Sequence, residues 1–443
     1  MSAPSYPNEL EIRPHPRGEL SATVSVPGSK SITNRALVLT AVARLQDHVA
    51  LTGALQSEDT EVMIDCLRRL GYTIESHWDM PEPLVLFFRQ RPPGSPVRST
   101  DLFVANSGTT MRFMTALVAT REGRYRLDGV PRMRERPVQD LLDALNQIEG
   151  VRAYSELDNG SPPVIVEREA IARAPTITVR ADISSQFLSG LLMVAPQFAT
   201  EDWWATVRVD GPVVSEPYVK MTLNMMRSWG QLFEQPDRNT YRFAPNSMQL
   251  DKGTYAIEPD ASAASYFWAA AAILGGRVTV QGLTEHSLQG DVRFVDVLQQ
   301  MGCRVETCGS GITVHGGPLR GIDVDMNAIS DTVMTLAAVA CFADGPTRIR
   351  NVAHIRHKET DRIAALATEL QRLGAKVEEL PDGLTITPRP LHGAAVETYN
   401  DHRLAMSLAL VGLRVPGVVI KNPGCVAKTY PGFWQDLDRL LGR

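Results

Sequence analysis

The 443-residue sequence predicts an α/β fold made of six repeated βαβαββ-type units, three in each of two domains. Two observations predict it. A long apolar helical run headed by a polar cluster occurs six times, at intervals of about 70 to 80 residues, which is the sign of an internal repeat. Each run is followed by a short β-branched run and then by a second, amphipathic helix. The length agrees, because 443 residues exceed one ordinary core and suit two domains.

The six apolar runs follow their polar heads directly. The heads and runs are SKSITNR (29–35) before ALVLTAVA, NSGTTMR (106–112) before FMTALVA, SSQ (184–186) before FLSGLLMVA, DAS (260–262) before AASYFWAAAAI, SD (330–331) before TVMTLAAVACFA, and NDHR (400–403) before LAMSLALVG. A helix that is apolar on most sides must be buried. Its N-terminus offers free N–H groups and a partial positive charge, which suit phosphate or carboxylate. The repeat therefore suggests an enzyme that binds small, multiply anionic substrates.

The remaining parts of each repeat are a strand, an amphipathic helix and further strands. The β-branched runs end in Gly or Asn: HVALTG, YRLDG, ATVRVDG, RVTVQG, TRIRN and VVIKN. After a loop, apolar residues at three- and four-residue spacing predict the second helix, which closes on Gly and is followed, in every repeat but the sixth, by a further strand-like run. The sixth repeat lacks the strand that follows this Gly, whereas two strand-like runs before Lys30, ELEIRP and ELSATVSVP, belong to no repeat. We therefore predict that the N-terminus completes the sixth repeat.

These boundaries predict two domains of three repeats each. The first is 29–257, and the second combines 1–28 with 258–443, so the chain passes between them near 28–29 and near 257–258.

Composition narrows the class of protein. Hydrophobic residues make up 44% and charged residues 21%, as in soluble globular proteins. The net charge of −5 disfavours a nucleic-acid binder. The cysteines, five in number and without a CxxC pair, indicate a reducing compartment and no zinc site. No signal peptide is evident and the apolar helices are shorter than the ~20 residues that span a bilayer, so we expect a cytoplasmic protein without a membrane anchor.

Motifs at the helix heads and in the loops after strands supply candidate site residues, among which Lys and Arg suit anionic ligands. They are Lys30, Ser31 and Arg35 in the first head, Asn106 and Gly108 in NSGTTMR, Arg132, Arg134 and Arg136 in PRMRERP, Lys358, Glu359, Asp361 and Arg362 in HKETDR, Asp401, His402 and Arg403 in NDHR, and Lys428 in CVAKTYP. Each motif alone is also compatible with a helix cap, a capped turn or a solvated charge run. All of the motifs lie at helix heads or in loops after strands, and this shared placement favours a role in ligand binding. Neither GxGxxG after a strand nor GxxxxGK[ST] occurs, so a nucleotide site is not supported.

Taken together, VPGSKSITNRAL, NSGTTMR, PRMRERP, SSQFLSGLLM, VSEPY, EPDASAASY, HKETDR, YNDHR and AKTYP resemble, in order, the motifs of the EPSP synthase (3-phosphoshikimate 1-carboxyvinyltransferase) family. The resemblance runs from about Leu20 to the C-terminus. It implies a two-domain inside-out α/β barrel with substrates in the interdomain cleft. It also implies transfer of the enolpyruvyl group of phosphoenolpyruvate to the 5-hydroxyl of shikimate 3-phosphate, with release of phosphate, in the shikimate pathway to aromatic amino acids. It further implies a monomer that needs no metal or organic cofactor.

The same resemblance assigns the site residues. Shikimate 3-phosphate is assigned to Lys30, Ser31, Arg35, Ser184, Ser185, Gln186, Ser215, Tyr218, Asp331, His354 and Lys358. Phosphoenolpyruvate is assigned to Lys30, Asn106, Gly108, Arg132, Gln186, Arg362, Arg403 and Lys428. Asp331 is the expected base toward the 5-hydroxyl, and Glu359 or Lys30 the expected proton donor to the methylene carbon.

Three positions depart from the family pattern: His354 stands where Asn is frequent, Phe113 where Pro is frequent, and Ala105 where Gly is common. The family's inhibitor glyphosate occupies the phosphoenolpyruvate subsite. Because Gly108 has no Cβ, we expect space beside its backbone for this slightly longer ligand, and hence competitive inhibition, with Phe113 as the residue that could narrow the pocket.

Other functions remain open from the residues alone. A UDP-N-acetylglucosamine enolpyruvyl transferase would share the fold, but that family typically carries a reactive Cys in the loop that reads PRMRERP here. A non-enzymatic repeat protein would have little use for Lys, Arg and Asp at the heads of buried helices. A nucleic-acid-binding module is disfavoured by the acidic balance.

Overall fold

The computed structural model describes residues 6–16, 20–44, 48–80, 82–88, 99–169, 176–250 and 252–442. Within these ranges the chain forms six small β-sheets and twelve α-helices, so the predicted α/β fold is confirmed. The chain divides into two compact units: the first unit is Gly28–Ile257, and the second unit combines Met1–Pro27 with Glu258–Arg443. No helix in the described ranges is long and apolar enough to cross a membrane.

Most strands have four to six residues. In chain order they are β1 (Glu9–Ile12), β2 (Ser21–Val24), β3 (His48–Thr52), β4 (Thr73–His77), β5 (Leu84–Phe88), β6 (Ser99–Phe103), β7 (Gly123–Asp128), β8 (Val151–Ser155), β9 (Val164–Arg168), β10 (Thr176–Ala181), β11 (Ala205–Val213), β12 (Phe233–Asp237), β13 (Thr240–Phe243), β14 (Thr254–Ala256), β15 (Arg277–Gln281), β16 (Arg304–Cys308), β17 (Gly311–His315), β18 (Asp323–Asp325), β19 (Thr347–Arg350), β20 (Lys376–Leu380), β21 (Gly383–Thr387), β22 (Ala395–Val396) and β23 (Val418–Lys421).

The α-helices alternate between apolar and amphipathic, as the repeat predicts. In chain order they are α1 (Lys30–Val42), α2 (Glu58–Arg69), α3 (Gly108–Val118), α4 (Gln139–Leu145), α5 (Ser185–Val194), α6 (Glu216–Ser228), α7 (Ala261–Leu274), α8 (Phe294–Gln300), α9 (Val333–Ala340), α10 (Arg362–Arg372), α11 (His402–Gly412) and α12 (Phe433–Leu440).

Every repeat builds one sheet of the same design. The strand orders are β14-β3-β5-β4, β6-β7-β9-β8 and β10-β11-β13-β12 in the first unit, and β2-β15-β17-β16, β18-β19-β21-β20 and β22-β23-β1 in the second. In each sheet the first two strands are parallel and the other pairs antiparallel. Where both parallel strands lie in one repeat, as β6 and β7 do, the apolar helix connects them, which is the crossover that a parallel pair requires.

The N-terminus completes two repeats rather than one. Strand β1 pairs with β23 from Glu9↔Lys421 to Ile12↔Val418, so the prediction for ELEIRP is confirmed. The run ELSATVSVP was expected in the same repeat, and this is wrong: β2 joins β15 of the fourth repeat in parallel. The first residue of that run, Glu19, lies outside the described residues. The reason is topological. β14, which precedes the fourth repeat in the chain, pairs with β3 of the first repeat, so the fourth sheet takes its missing strand from the N-terminus.

The apolar helices form the centre of each unit. Every residue of α3 and of α11 is buried. In the first unit, Arg35, Ser189 and Phe113 meet, with Arg35 Nη2 3.3 Å from Ser189 Oγ and its guanidinium 5.1 Å from the Phe113 ring. All three lie in the second turn of their helices, so the polar heads of α1, α3 and α5 lie close to one another.

The second unit repeats this arrangement with hydroxyl groups. Ser265 Oγ lies 3.0 Å from Thr335 Oγ1, which in turn lies 3.4 Å from Ser407 Oγ. These residues belong to the N-terminal halves of α7, α9 and α11, and all three are buried. The heads of the three central helices of this unit therefore also lie close to one another.

The Gly or Asn that ends each β-branched run has a backbone reason. Five of the six adopt positive φ: Gly53 (67°), Gly211 (86°), Gly282 (78°), Asn351 (63°) and Asn422 (49°). Glycine and asparagine reach this left-handed region at the lowest cost. The sixth, Gly129, is required by close approach instead, since a Cβ there would lie 2.2 Å from the carbonyl oxygen of Ala105. This turn directs the chain from the strand into the loop that carries the polar motif.

Candidate active site

The guanidinium of Arg362 is the centre of a polar cluster in the second unit. Arg362 opens α10 and its side chain is 1% exposed. Nε pairs with Asp401 Oδ2 at 2.8 Å, Nη1 with Asp331 Oδ1 at 3.2 Å, and Nη2 with Glu359 Oε2 at 2.9 Å. Burial alone would lower the pKa of Arg362, but the three carboxylates raise it above its ordinary value. Arg362 therefore stays charged and holds three carboxylates around one point.

Three further cations surround the same carboxylates. Arg403 Nη2 lies 2.8 Å from Asp331 Oδ2, and Lys358 Nζ lies 4.0 Å from Asp331 Oδ1. Lys428 Nζ lies 3.6 Å from Glu359 Oε1. These residues come from three motifs that are far apart in the chain. The structure thus brings together the residues assigned in this unit: Asp331, His354, Lys358, Glu359, Arg362, Arg403 and Lys428.

Cations and carboxylates are interleaved in this cluster. Four cations face the carboxylates of Asp331, Glu359 and Asp401, and the buried carboxyl of Asp291 interacts electrostatically with Asp331 and Arg403. Arg and Lys bind carboxylate or phosphate through charge-assisted hydrogen bonds, so the four cations are candidate groups for an anionic ligand. Asp331 and Glu359 are bound to the same guanidinium, so two potential proton-transfer groups lie beside the anion-binding cations.

His354 lies beside the cluster as a neutral group. It is 5% exposed, on the short 3-10 helix Ala353–His357, and its Nε2 lies 3.0 Å from Ser330 Oγ. Burial and then the charge of Lys358 lower the pKa of His354 to about 3. A neutral imidazole offers one hydrogen-bond donor and one acceptor. The side-chain amide of Asn also offers a donor group and an acceptor, and neither side chain is charged. The substitution of Asn by His at this position therefore keeps the charge of the site unchanged.

Replacing His354 by Asn should reduce the loss of stability on mild acidification. The unfolded chain takes up a proton on this histidine near pH 6.5, whereas the folded chain does so only near pH 3. The parent protein therefore loses stability as the pH falls between these values. We expect His354→Asn to lose about 2 kcal/mol less than the parent between about pH 7.5 and pH 5. Urea unfolding at both pH values measures this.

The control for this measurement is the exposed His286, for which His286→Asn should leave the pH dependence of the free energy of unfolding as it is in the parent. If His354→Asn and the parent lose equal stability on acidification, His354 is not held neutral by burial.

In the first unit, Lys30 is the first residue of α1. Ser29 caps this helix, its Oγ accepting the N–H of Ile32 at 3.4 Å. The Lys30 ammonium lies 3.3 Å from Asp59 Oδ2, and Asp59 is 1% exposed in the first turn of α2. A buried carboxylate thus holds the Lys30 side chain at the end of the helix where N–H groups face a ligand, next to Ser31.

Arg35 connects three motifs of the first unit. Its Nε donates to Thr222 Oγ1 at 2.7 Å, and its Nη2 to Ser189 Oγ and to the carbonyl oxygen of Tyr218, both at 3.3 Å. Nη1 donates to the carbonyl oxygen of Ser31 at 3.0 Å. Burial lowers the pKa of Arg35 to about 10, so it remains charged at neutral pH. The head of α1 is therefore fixed to α5 and α6.

The serine motifs lie at the start of α5 and α6. Ser184 caps α5, its Oγ accepting the N–H of Gln186 at 3.3 Å, and Ser185 is the first helical residue. Ser215 caps α6 with φ of 51°, a left-handed conformation that is costly for a residue with a Cβ. Tyr218 places its ring 5.8 Å from the Arg35 guanidinium. Strain at a buried polar residue is common at functional sites, which agrees with the assignment of Ser215.

The head of α3 differs from the sequence-based expectation. A Cβ on Gly108 would lie 2.4 Å from Arg136 Nη2 and 2.9 Å from Arg112 Nη1, so the space expected beside this glycine is filled by two guanidinium groups. Arg136 is 3% exposed, and its Nη1 donates to the carbonyl oxygen of Asn106 at 3.0 Å. Because Gly108 has no Cβ, the side chains of Arg112 and Arg136 can approach the backbone of NSGTTMR, where the sequence predicted space for a ligand.

The three arginines of PRMRERP point in three directions. Arg132 Nη1 pairs with Glu135 Oε2 at 2.6 Å, Arg134 Nη2 with Asp128 Oδ2 at 2.7 Å, and only Arg136 turns inward to Gly108. The motif forms the 3-10 helix Pro131–Glu135, in which residues two apart cannot share a face. Arg132, the assigned ligand, lies on the partly exposed side. Phe113 is buried in α3 beneath Arg35.

Four residues in these clusters were not assigned from the sequence. Arg112 and Arg136 flank Gly108, Asp59 pairs with Lys30, and Asp401 pairs with Arg362. Arg136 and Asp401 lie in motifs that were recognised as candidates, so the charge pattern itself was the available signal. The only sequence signal for Asp59 was that it is an acidic residue at the start of a helix. Such a residue ordinarily indicates a helix cap or an interaction with the helix dipole.

Comparison with known proteins identifies similar chains along the whole length. The family model described as EPSP synthase (3-phosphoshikimate 1-carboxyvinyltransferase) matches residues 14–437. A 3-phosphoshikimate 1-carboxyvinyltransferase of Trichormus variabilis is 47% identical over 426 residues, which cover 96% of this chain and 97% of the relative. One of Paraburkholderia phytofirmans is 42% identical over 438 residues, covering 97% and 99%.

Solved structures share the fold. An EPSP synthase from Acinetobacter baumannii superposes with a TM-score of 0.77 at 23% identity, and the enolpyruvyl transferase NikO from Streptomyces tendae with a TM-score of 0.74 at 20% identity; each comparison covers 98% of both chains. At these identities the likeness concerns the fold, and it agrees with the α/β architecture of six sheets that the sequence predicts.

Proposed function

The chain belongs to the EPSP synthase family, and we propose that it transfers the enolpyruvyl group of phosphoenolpyruvate to the 5-hydroxyl of shikimate 3-phosphate, with release of phosphate. This is an enzyme of the shikimate pathway, on the route to aromatic amino acids. One observation of the structure supports the proposal above the others. Arg362 binds Asp331, Glu359 and Asp401 at once, so that two carboxylates able to exchange protons lie within a group of anion-binding cations.

The chemistry needs a proton donor and a proton acceptor. Phosphoenolpyruvate becomes electrophilic when its methylene carbon takes a proton, and we assign the donor to Glu359 or Lys30. The 5-hydroxyl of shikimate 3-phosphate then bonds to the cationic carbon and gives its proton to Asp331. The product of this addition is a tetrahedral ketal phosphate. In the second step phosphate leaves and a methyl proton returns to the protein, so the same groups act in reverse.

We propose one set of binding residues for each substrate. We propose that shikimate 3-phosphate contacts Lys30, Ser31, Arg35, Ser184, Ser185, Gln186, Ser215, Tyr218, Asp331, His354 and Lys358. We propose that phosphoenolpyruvate contacts Lys30, Asn106, Gly108, Arg132, Gln186, Arg362, Arg403 and Lys428. The helix heads support the first set, since buried N-termini with a nearby Lys or Arg suit a phosphate. The four cations around Asp331 and Glu359 support the second.

Arg136 and Arg112 join this assignment on geometric grounds. Both guanidinium groups lie against Gly108, and Arg136 also bonds to the backbone of Asn106. We propose that they set the position of NSGTTMR, the motif assigned to phosphoenolpyruvate. This is a positioning role, because the two buried guanidinium groups contact the backbone of the motif at Gly108 and Asn106.

Transfer to UDP-N-acetylglucosamine is the alternative within the same fold. The curated relatives support shikimate 3-phosphate as acceptor, and PRMRERP contains no cysteine. A coupled phosphate-release assay tests the choice. With phosphoenolpyruvate present, shikimate 3-phosphate should give turnover and UDP-N-acetylglucosamine none; the reverse pattern would assign the other reaction, and release with neither would remove both.

We propose that the enzyme acts in the cytoplasm as a monomer. The five cysteines are free thiols in the structure, which suits a reducing compartment. We further propose that glyphosate competes with phosphoenolpyruvate, because NSGTTMR and PRMRERP resemble the family motifs, although Ala105 and Phe113 beside NSGTTMR depart from the pattern.

Gly108→Ala should weaken the binding of phosphoenolpyruvate, and it should weaken the binding of glyphosate by a larger factor. The new methyl group would lie 2.4 Å from Arg136 Nη2, so the guanidinium must move and its bond to Asn106 must change. We expect the Michaelis constant for phosphoenolpyruvate to rise about tenfold, which corresponds to about 1.4 kcal/mol. Inhibition by glyphosate should fall by a larger factor, since the longer ligand tolerates a displaced arginine less well.

Steady-state kinetics at several glyphosate concentrations measure both effects. Gly309→Ala is the matched control, because a Cβ there meets nothing within 4 Å. A Gly108→Ala enzyme with unchanged constants for both ligands would contradict the role of this loop.

A further inference from the structure

Two consecutive residues before α11 have an unusual backbone. Tyr399 has φ of 52° and Asn400 φ of 54°, and the N–H of Asp401 donates to the carbonyl oxygen of Thr398 at 2.8 Å. This is a tight turn with both central residues left-handed, a type that favours Asn and Gly. Residues with a Cβ keep such a conformation only where their surroundings hold it, and such sites often serve function.

Tyr399 is tied to the helix that carries Arg362. Its hydroxyl donates to Glu369 Oε1 at 2.8 Å, and Glu369 is fully buried on α10. The other carboxylate oxygen accepts the N–H of Glu397 at 3.1 Å and pairs with Arg372 Nε at 3.2 Å. Burial and the Glu369 carboxylate raise the pKa of Tyr399 to about 12, so the hydroxyl stays protonated and remains a donor.

Asn400 and Asp401 tie the same turn to the other binding elements. Asn400 Oδ1 accepts from Asn422 Nδ2 at 3.1 Å, and Asn422 precedes the 3-10 helix Pro423–Lys428. Asp401 caps α11 through the N–H of Arg403 at 2.9 Å and pairs with Arg362 at 2.8 Å. The turn therefore touches all three segments that carry Arg362, Arg403 and Lys428.

We propose that the turn of residues 398–401 positions the phosphoenolpyruvate-binding cations of the second unit, and that Tyr399 is a positioning residue acting through Asp401. The strained backbone places the Asp401 carboxylate against Arg362, and the bond between Tyr399 and Glu369 keeps it there. This inference rests on the proposed assignment of Arg362, Arg403 and Lys428 to phosphoenolpyruvate.

Tyr399→Phe tests the inference by removing one hydroxyl. We expect the Michaelis constant for phosphoenolpyruvate to rise about fivefold, as loss of one such hydrogen bond predicts, with kcat and the constant for shikimate 3-phosphate within twofold of the parent. Tyr125→Phe is the control, because its hydroxyl also makes one bond, to the carbonyl oxygen of Glu122 at 2.7 Å, and it belongs to the first unit, whereas these cations belong to the second. It should change thermal stability alone.

A second variant guards against misfolding of the first. Asn400→Gly accepts the left-handed backbone without a Cβ and loses only the bond to Asn422, so it should fold and raise the same constant about twofold or more. The inference is overturned if both variants keep the parent constant while Arg362→Ala raises it. If Arg362→Ala leaves the constant unchanged as well, the assignment of Arg362 to phosphoenolpyruvate fails first, and the inference fails with it.

Discussion

Asp331→Asn is expected to lower kcat by about 100- to 10,000-fold, the range typical of a lost general base. Asp331 is held by Arg362 at 3.2 Å and Arg403 at 2.8 Å, and an Asn oxygen can still accept from one of them. The shape of the site is thus kept while the proton acceptor is lost. Because the change also removes a negative charge beside the cations, shikimate 3-phosphate should bind at least as tightly as to the parent.

Steady-state phosphate release at saturating substrates gives kcat, and titration calorimetry gives the affinity for shikimate 3-phosphate. Asp323→Asn is the matched control, since Asp323 also pairs with an arginine, Arg350, at 2.7 Å but is exposed on the same unit. It should leave kcat within twofold. An Asp331→Asn enzyme within a few-fold of the parent would remove Asp331 from the role of base.

The fold was predictable to the extent that it depends on local pattern. Six apolar runs, five of them with a capping side chain such as Ser29, Ser184 or Asp260, carry a helical signal that tertiary contacts do not override. Strand partners are different. Nothing in ELSATVSVP distinguishes pairing with β15 from pairing with β23, because both neighbours offer the same backbone hydrogen bonds and the choice depends on the whole topology.

The site was predictable as a set of motifs and less so as a set of contacts. A motif gives the order of side chains along the chain. It does not show where each side chain points, because that depends on the backbone conformation within the motif. In PRMRERP Arg132 lies in the 3-10 helix and pairs with Glu135, whereas Arg136 follows the helix in extended backbone and lies against Gly108. The buried arginine was therefore not the one assigned. The same limit applies to Asp401. Its position at the start of a helix predicts a cap. Its second role, binding Arg362, could not be predicted because Arg362 lies on another helix, 39 positions earlier in the chain.

Replacing Arg362 by Met should have the largest effect on both binding and stability. The change leaves the buried carboxylates of Asp401 and Glu359 without their shared partner, and breaking a buried ion pair from one side costs about 3–5 kcal/mol. We also expect it to remove one charge-assisted bond to phosphoenolpyruvate, because four of the five N–H groups of Arg362 already donate to carboxylates. Such a bond is worth about 1.5–3 kcal/mol, so the Michaelis constant for phosphoenolpyruvate should rise about 10- to 100-fold. Urea unfolding and steady-state kinetics measure the two losses separately.

The double variant Arg362→Met/Asp401→Asn separates the structural role of Arg362 from its binding role. Asn is as good a helix cap as Asp, so α11 keeps its N-terminal bond while one unpaired buried charge disappears. Stability should then recover in part, whereas phosphoenolpyruvate should bind as poorly as in the single variant. Arg350→Met, which breaks an exposed pair, should cost at most about 1 kcal/mol and leave binding intact. If the double variant regains affinity for phosphoenolpyruvate, Arg362 served only to neutralise Asp401, and the contact with substrate must be assigned to Arg403 and Lys428 alone.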